Sequence, residues 1–222
     1  MTQTEKLYKP LDDFLKRLKK KIKEVYAPLF VSGFDQLNII RLSKQTEDIY
    51  NELDRYNRKA YKELMAHAQK WAESMIGRNV KIDVDQLMKD YLAGYDPVTQ
   101  YVYDREIERK RMRLNESILT AREYQDIVKL QKAVKKAADL WYTQSSQYAL
   151  DLMDLALTCV FEEDDDVKFF RWNAVIDGHE CDICHERDGK VYPEDAYPEK
   201  PHYGCRCYKS PAYNAVKGDE RE

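Results

Sequence analysis

The segments Cys181-Asp-Ile-Cys184 and His202-Tyr-Gly-Cys205-Arg-Cys207, separated by seventeen residues, decide how the end of this chain folds. Four of the five cysteines of the chain lie within these 27 residues. Two thiolates three residues apart on a tight turn can converge on one metal ion, and a second pair brought over by a short hairpin completes a tetrahedron. The spacing therefore predicts a metal site near the carboxyl end.

The predicted site offers five donors, whereas zinc takes four. Cys181, Cys184 and Cys205 are the predicted ligands, and the fourth position stays open between His202 and Cys207. If the last two cysteines lie on an extended segment, they share one face, because side chains alternate along a strand. The donor set indicates zinc as the metal.

Other histidines and several glycines flank these ligands. His179 and His185 are further candidates for a ligand position. Gly178, Gly189 and Gly204 lie beside the predicted ligands, where tight turns need a permissive backbone. We therefore expect turns at these three glycines.

Four other interpretations of the cysteines compete with a structural zinc. One is a set of free thiols, although the regular spacing argues against a chance arrangement. Disulfides suit a secreted protein, but the opening residues do not resemble a signal peptide and no apolar run is long enough to cross a membrane. A redox Cys-x-x-Cys pair starts a helix inside a βαβ unit, which the sequence does not resemble. A catalytic zinc needs an open position and a general base in a pocket. The pattern favours a structural zinc, with disulfides as the main alternative.

Length and composition favour a helical body. The 222 residues allow one good core, or a helical body with a small lobe. Glycine and proline number only seven each, which favours long helices over a sheet-rich fold. Because the net charge is only −3, overall charge indicates no class of partner.

Five stretches of the chain are predicted to be helices. Apolar residues recur at steps of three and four in the first, second and fifth, the third is a short helix closed by Gly94, and the fourth is a charge-dense surface helix with ion pairs. These span residues 11–26, about 37–76, 85–93, 98–120 and 127–159. Cys159 lies on the last apolar stripe and is interpreted as a buried apolar residue. The first helix has a basic face, which is either a solvated surface or a contact for DNA or an acidic partner. Its cations are Lys16, Arg17, Lys19, Lys20, Lys21 and Lys23.

Strands are predicted after the acidic run at residues 162–166. Residues 167–176 are aromatic and β-branched, and 190–192 and 206–209 are shorter candidates. The predicted fold is mainly α: a long helical body with a small C-terminal antiparallel lobe closed by a zinc knuckle. The predicted segments are an N-terminal helical region (1–95), a helical hairpin or long helix (96–166), the Cys/His lobe (167–212) and a disordered tail (213–222).

Further residues of the lobe follow a known signature. In chain order they are Trp172, Asp177, Cys181, Cys184, Asp188-Gly189 and Pro201-His202-Tyr-Gly-Cys205-Arg206-Cys207. In order and spacing this segment resembles the carboxy-terminal signature of the phage Mu F-like minor head proteins, the phage head-morphogenesis family.

The resemblance implies a minor capsid protein of a tailed phage, made in the bacterial cytoplasm and located in the virion, inside the head at the portal vertex. The implied partners are the portal protein, the major capsid or scaffolding protein, and packaged double-stranded DNA, which the basic face of the first helix is placed to contact. We accordingly expect a structural protein, with no catalytic residues and no membrane partner.

Two other functions also use paired metal-binding cysteines. A zinc-knuckle nuclease of the His-Asn-His type needs a histidine base on a ββα hairpin beside a hydrolytic metal. The stretch between the pairs offers His185 and His202 but no Asp-His pair. An intracellular zinc-ribbon nucleic-acid-binding protein usually carries a basic element beside the metal, whereas residues 177–207 are rich in Asp and Glu. Both remain alternatives to the structural function.

Overall fold

The structure is a computed structural model that describes residues 2–96, 101–175 and 181–213. Helices make up most of these residues. They are α1 (Gln3–Tyr26), α2 (Leu42–Ile76), α3 (Val84–Ala93), α4 (Tyr103–Glu123), α5 (Ile127–Glu162) and the short α6 (Asp182–Arg187). Single 3₁₀ turns occupy Ala27–Leu29, Phe34–Gln36, Ile39–Arg41 and Glu194–Ala196. Among the helices described, none combines the length and apolar character needed to span a bilayer.

The strands form two small antiparallel sheets. β1 (Tyr95–Asp96) pairs with β2 (Tyr101–Val102). β3 (Phe169–Asn173) is the central strand of a three-stranded sheet, between β4 (Val191–Pro193) and β5 (Tyr208–Pro211). The predicted fold class, mainly α with a small C-terminal antiparallel lobe, is confirmed.

By its internal contacts, the chain divides into two compact units, each built from separate stretches. The first comprises Met1–Leu11, Glu63–Val84 and Gln147–Glu222, and the second comprises Asp12–Lys62 and Asp85–Ser146. The consecutive segments expected from the sequence, with boundaries after residues 95, 166 and 212, stay predictions. The tail expected at 213–222 lies outside the described residues, except for Tyr213.

Helix α1 begins eight residues earlier than the sequence indicates and includes Pro10. Proline has no N–H, so the carbonyl four residues before it, that of Lys6, loses its helical donor. The side chain of His67, on α2, occupies that position, with its Nε2 atom 3.0 Å from the Lys6 oxygen. His67 therefore has a structural role in the first unit.

In the second unit, α2 is buried on two adjacent faces. The predicted stripe is present, with Leu53 fully buried, and Tyr50 and Asn57 are buried beside it. Tyr50 makes an edge-to-face contact with Trp141 of α5, with ring centroids 5.2 Å apart, and Asn57 donates a 2.7 Å hydrogen bond to Ser145. Because α2 packs against more than one helix, a single stripe describes only part of its buried surface.

The first unit carries the C-terminal sheet. Phe170 and Trp172 are buried on one face of β3, whereas Arg171 between them is exposed, which is the period-two alternation of a half-buried strand. Phe161, on α5, packs against Phe170 with ring centroids 6.0 Å apart. On the next strand, Tyr208 packs against Trp71 of α2 at 5.4 Å. These aromatic contacts hold the sheet against the helices of its own unit.

Candidate metal centre

The first cysteine pair lies at the start of α6. Cys181 has an extended backbone (φ −104°, ψ 165°) at the residue that caps the helix, and its carbonyl accepts a 3.1 Å hydrogen bond from the His185 amide. The prediction of a tight turn at this pair is therefore wrong, because Cys181 and Cys184 lie at the first turn of helix α6. Residues three apart on a helical turn also point to one side, so the two sulfur atoms, of Cys181 and Cys184, still converge, at 3.5 Å.

The second group of donors lies on a turn that leads into β5. Gly204 has a φ of +75°, a backbone conformation that favours glycine, and the Cys205 amide donates to the His202 carbonyl at 3.3 Å. Cys205 and Cys207 are both buried, whereas Arg206 between them is partly exposed. The segment thus presents both sulfurs to one side, although β5 begins only at Tyr208.

The five predicted ligands come together as two groups that share Cys184. One group is Cys181, Cys184 and His202, the other is Cys184, Cys205 and Cys207, and within each group the donor atoms lie within 4.8 Å of one another. From the Cys184 sulfur, the His202 Nε2 atom is at 3.6 Å and the Cys205 sulfur at 3.7 Å. Such clusters of sulfur and nitrogen donors can hold a metal ion.

None of the five cysteines forms a disulfide, which was the main alternative for this part of the chain. Cys159 is only partly buried, on α5, and belongs to neither group of donors. His185 is exposed and lies outside both groups of donor atoms among the described residues. His179, a further candidate, and Gly178, expected in a turn, fall outside the described part of the chain.

Burial and mutual hydrogen bonds shift the pKa values of three of the clustered thiols. Burial raises the pKa of Cys184 to about 11. The hydrogen bond between Cys205 and Cys207 lowers the pKa of Cys205, and the same bond together with burial raises that of Cys207. Several thiolates cannot share so small a volume unless a cation neutralises them, so the cluster is electrostatically suited to a positive ion.

His202 is oriented for ligation by its other ring nitrogen. Nδ1 lies 3.0 Å from the Tyr203 carbonyl oxygen, and because a carbonyl only accepts hydrogen bonds, Nδ1 carries the proton. In the neutral ring, Nε2, which lies 3.6 Å from the Cys184 sulfur, then carries the lone pair that can bind a metal. A backbone carbonyl holding the remote nitrogen is the usual second partner of a metal-binding histidine.

Three side chains hold the backbone of the second donor segment. The Cys205 carbonyl accepts a 3.0 Å hydrogen bond from Lys200 Nζ, and the Arg206 carbonyl accepts one of 2.5 Å from the Tyr8 hydroxyl. The Gly204 amide donates to the side chain of Gln147, on α5, at 2.7 Å. These contacts come from α1, α5 and the loop before the turn, all within the first unit.

Lys200 also forms an ion pair with Asp154 of α5, in which each side chain is about a quarter exposed (26% and 25%). Burial raises the pKa of Asp154, and the pair with Lys200 offsets only part of that effect. For Lys200, burial acts to lower the pKa, but the Asp154 carboxylate outweighs it and the net pKa is raised. The pair therefore links α5 to the backbone of a candidate ligand.

Replacing Lys200 with Met should lower the free energy of unfolding by about 1–3 kcal/mol, because the Asp154 carboxylate and the Cys205 carbonyl both lose a partner in partly buried positions. The measurement is urea unfolding of the metal-loaded chain, followed by circular dichroism. Lys168→Met, at an exposed lysine, is the matched control and should change the free energy by less than about 0.5 kcal/mol. The double variant Asp154→Asn/Lys200→Met should recover part of the lost stability. If the single variant Lys200→Met were as stable as the wild type, the ion pair would not stabilise this segment.

A shell of aromatic side chains surrounds the donors. Trp172, 1% exposed, clusters with Cys184, Cys205 and Cys207, and Tyr197 stacks on its indole with ring centroids 5.6 Å apart. The guanidinium of Arg187, from the last turn of α6, lies 5.1 Å from the indole ring. This shell excludes water from three of the sulfur atoms and fixes α6 against β3.

Comparison with known proteins gives no family assignment. No protein-family model matches the chain, and no significant match to it was found among curated proteins or solved structures. The resemblance to the phage head-morphogenesis family thus rests on the signature residues alone.

Proposed function

We propose that the metal is zinc and that it is structural. With Zn–S bonds of about 2.3 Å and Zn–N bonds of about 2.0–2.1 Å, a tetrahedral site has S···S edges of about 3.8 Å and S···N edges of about 3.6 Å. The distances from Cys184 Sγ to Cys181 Sγ (3.5 Å), Cys205 Sγ (3.7 Å) and His202 Nε2 (3.6 Å) lie close to these values. The proposed ligands are Cys181, Cys184, His202 and Cys205, with Cys207 as the alternative fourth donor. Because Cys205 belongs to the second donor group, metal binding would draw the two groups together around Cys184.

A structural role accounts for the surroundings of the site. Cys184 and Cys205 are buried against Trp172, so two of the proposed ligands are shielded from solvent, as in a structural site. The three-stranded sheet is small, and small lobes of this kind depend on a metal for much of their stability. Zinc would then hold α6, β3 and the segment before β5 in one arrangement.

We propose that the chain is a non-enzymatic minor capsid protein of a tailed phage, with a role in head morphogenesis. The observation that carries the proposal is that the five signature donors lie together as two groups that share Cys184, one with Cys181 and His202 and the other with Cys205 and Cys207. Agreement in sequence order alone can arise by chance, whereas a signature whose members meet in space has a physical basis.

Other signature residues also have roles that fit this interpretation. The Asp188 carboxylate accepts a 2.8 Å hydrogen bond from the Ala174 amide, and the Gly189 amide donates to the Trp172 carbonyl at 2.9 Å. Gly189 has a φ of +75°, so the turn favours glycine at this position. The Asp-Gly pair of the signature thus ties α6 back to β3. Asp177 lies outside the described residues.

The proposed partners are the portal protein, the major capsid or scaffolding protein, and double-stranded DNA, at a location inside the head at the portal vertex. The basic face of α1 supports a contact with DNA or with an acidic protein surface. Five of its six cations, Lys16, Arg17, Lys19, Lys20 and Lys23, are exposed. Lys21 forms an ion pair with Glu52 at 2.5 Å and so contributes less positive charge to a partner.

The test is quantitative peptide mass spectrometry of density-purified particles of the phage that encodes this chain, with the portal protein as the copy-number reference. We expect the chain at a fixed, low ratio to the portal. Its absence from particles, with abundant protein in infected cells, would overturn the virion assignment and leave an assembly factor or an intracellular zinc protein.

A further inference from the structure

A groove runs along the hairpin of α4 and α5, in the second unit and therefore separate from the metal centre. Three adjoining depressions of about 710, 510 and 400 Å³ form it, and Lys136 lines all three. On α4 the lining extends from Glu106 to Thr120, which corresponds to about 21 Å along the helix. The groove is as long as a helix of about 14 residues.

The floor of the groove is apolar. Leu114 comes from α4, Ala133, Ala137 and Leu140 come from α5, and Tyr50 of α2 also lines the groove. Leu140 is 42% exposed although it lies beside these apolar neighbours. Ala133 and Ala137 are four residues apart on one face of α5, and small side chains at that spacing allow the backbone of another helix to approach closely.

The rims of the groove are strongly basic. Seven lysine and arginine side chains and three carboxylates line the three depressions, which gives a local charge of +4. Two of the cations are neutralised, Lys110 by Glu106 at 3.0 Å and Lys135 by Asp139. Among the described residues, Arg113, Lys132 and Lys136 have no ion pair, so their charge is available to a ligand.

Two side chains that line the groove have an atom without a hydrogen-bond partner. Nε of Arg109 and Oε1 of Gln144 make no hydrogen bond among the described residues, and both atoms are inaccessible to water. The Arg109 guanidinium lies over the Tyr101 ring, with its carbon 4.3 Å from the ring centroid. A ligand would contact these two atoms only after the side chains rotate, so its fit depends on the apolar floor and the basic rims.

We propose that this groove binds an acidic amphipathic helix of a partner protein. An apolar stripe on such a helix covers the alanine and leucine floor, and carboxylates on its flanks meet Arg113, Lys132 and Lys136. Duplex DNA fits the same surface less well, because its phosphates would contact only the cationic rims and leave the apolar floor exposed to water.

The probe is a fluorescent synthetic helix of about 14 residues, with leucines at three- and four-residue steps and glutamates between them. Its binding to the full chain is measured by anisotropy, in parallel with a scrambled peptide of the same composition and a duplex DNA of about 20 base pairs. We expect the amphipathic peptide to bind at least about tenfold more tightly than the scrambled peptide.

Two variants test whether the groove is the site. Arg113→Glu/Lys136→Glu reverses charge on both rims, and Ala137→Trp fills the floor without changing charge. Each should weaken binding of the amphipathic peptide by at least about tenfold. Lys59→Glu/Lys89→Glu, at two exposed lysines of the second unit that do not line the groove, makes the same change in net charge and should leave the affinity within about twofold. Circular dichroism confirms that each variant is folded.

Three outcomes would overturn the proposal. The groove would be a non-specific basic surface if the amphipathic and scrambled peptides bound equally. The same conclusion would follow if the Ala137→Trp variant bound the peptide like the wild type. Tighter binding of the duplex DNA, lost on Arg113→Glu/Lys136→Glu, would assign the groove to nucleic acid. If the amphipathic peptide bound with a dissociation constant above about 1 mM, the proposed ligand would be wrong.

Discussion

Cys184→Ser is expected to abolish stoichiometric metal binding and to unfold the segment from β3 to β5 while leaving the long helices folded. Cys184 is the donor that both ligand groups share, and its sulfur is fully buried beside Trp172. Serine keeps nearly the same volume but supplies a poor zinc ligand in place of a thiolate. Structural zinc sites contribute about 10–16 kcal/mol of apparent binding free energy, which exceeds what so small a sheet can supply by itself.

Two measurements check this expectation on the full chain. Mass spectrometry under native conditions gives the metal content, and hydrogen exchange reports protection of the backbone amides of β3 and β5. Treatment of the wild type with a chelator should reproduce the effect of the substitution. Far-UV circular dichroism should change little in either case, because the helices do not contain the ligands apart from those at α6.

Cys159→Ser is the matched control, since Cys159 lies on α5 outside both donor groups. It should keep full metal content and full protection of the sheet. If Cys184→Ser behaved in the same way, with unchanged metal content and exchange, then the donors would not form a metal site. Loss of metal with unchanged protection would instead show that the sheet does not need the ion.

A separate prediction, with a smaller expected effect on metal affinity, concerns the identity of the fourth ligand. His202→Ala should lower metal affinity more than Cys207→Ser, because the Nδ1 contact with Tyr203 holds Nε2 towards Cys184. Competition titration with a chromogenic chelator gives both affinities. The opposite order would assign the fourth position to Cys207.

The sequence indicates that these donors lie close together because their spacing is a local property, and the two donor groups agree with this expectation. The Cys-x-x-Cys pair and the closing Cys205-Arg-Cys207 segment bring donors together through one turn or one extended stretch of backbone. A first helical turn and a tight turn both place residues three apart on one side, so the spacing alone could not reveal that Cys181 begins α6. A helix of six residues is also too short to show periodicity.

Contacts distant in sequence could not be predicted in the same way. Tyr8 meets the Arg206 carbonyl across 198 positions, and Gln147 meets Gly204 across 57. Periodicity identifies the face of a helix that is buried, but not the backbone group that the face meets. Pro10 shows the same limit, because a proline ordinarily ends a helix, and only the His67 side chain, 61 positions from Lys6, explains why α1 continues through it.

The second large effect is expected at Trp172, where replacement by Ala should remove about 3–5 kcal/mol of stability from the first unit. The indole is 1% exposed, stacks on Tyr197 and covers Cys184, Cys205 and Cys207, so the cavity left by the truncation would lie directly beside the ligands. Trp172→Phe keeps most of the apolar volume and should cost less.

The same substitution tests whether the aromatic side chains around the metal contribute to its affinity or only surround it. If the lobe folds as it binds the ion, a loss of stability in the lobe appears as weaker apparent binding, by about tenfold for every 1.4 kcal/mol. Trp172→Ala should therefore weaken metal binding by at least about 100-fold in a chelator competition, although the indole supplies no ligand. Ile183→Ala, a truncation at a 46% exposed side chain of α6 between the two cysteines, should leave the affinity within a few-fold. Wild-type affinity in Trp172→Ala, together with the expected loss of stability, would mean that the site is fully formed before the metal binds.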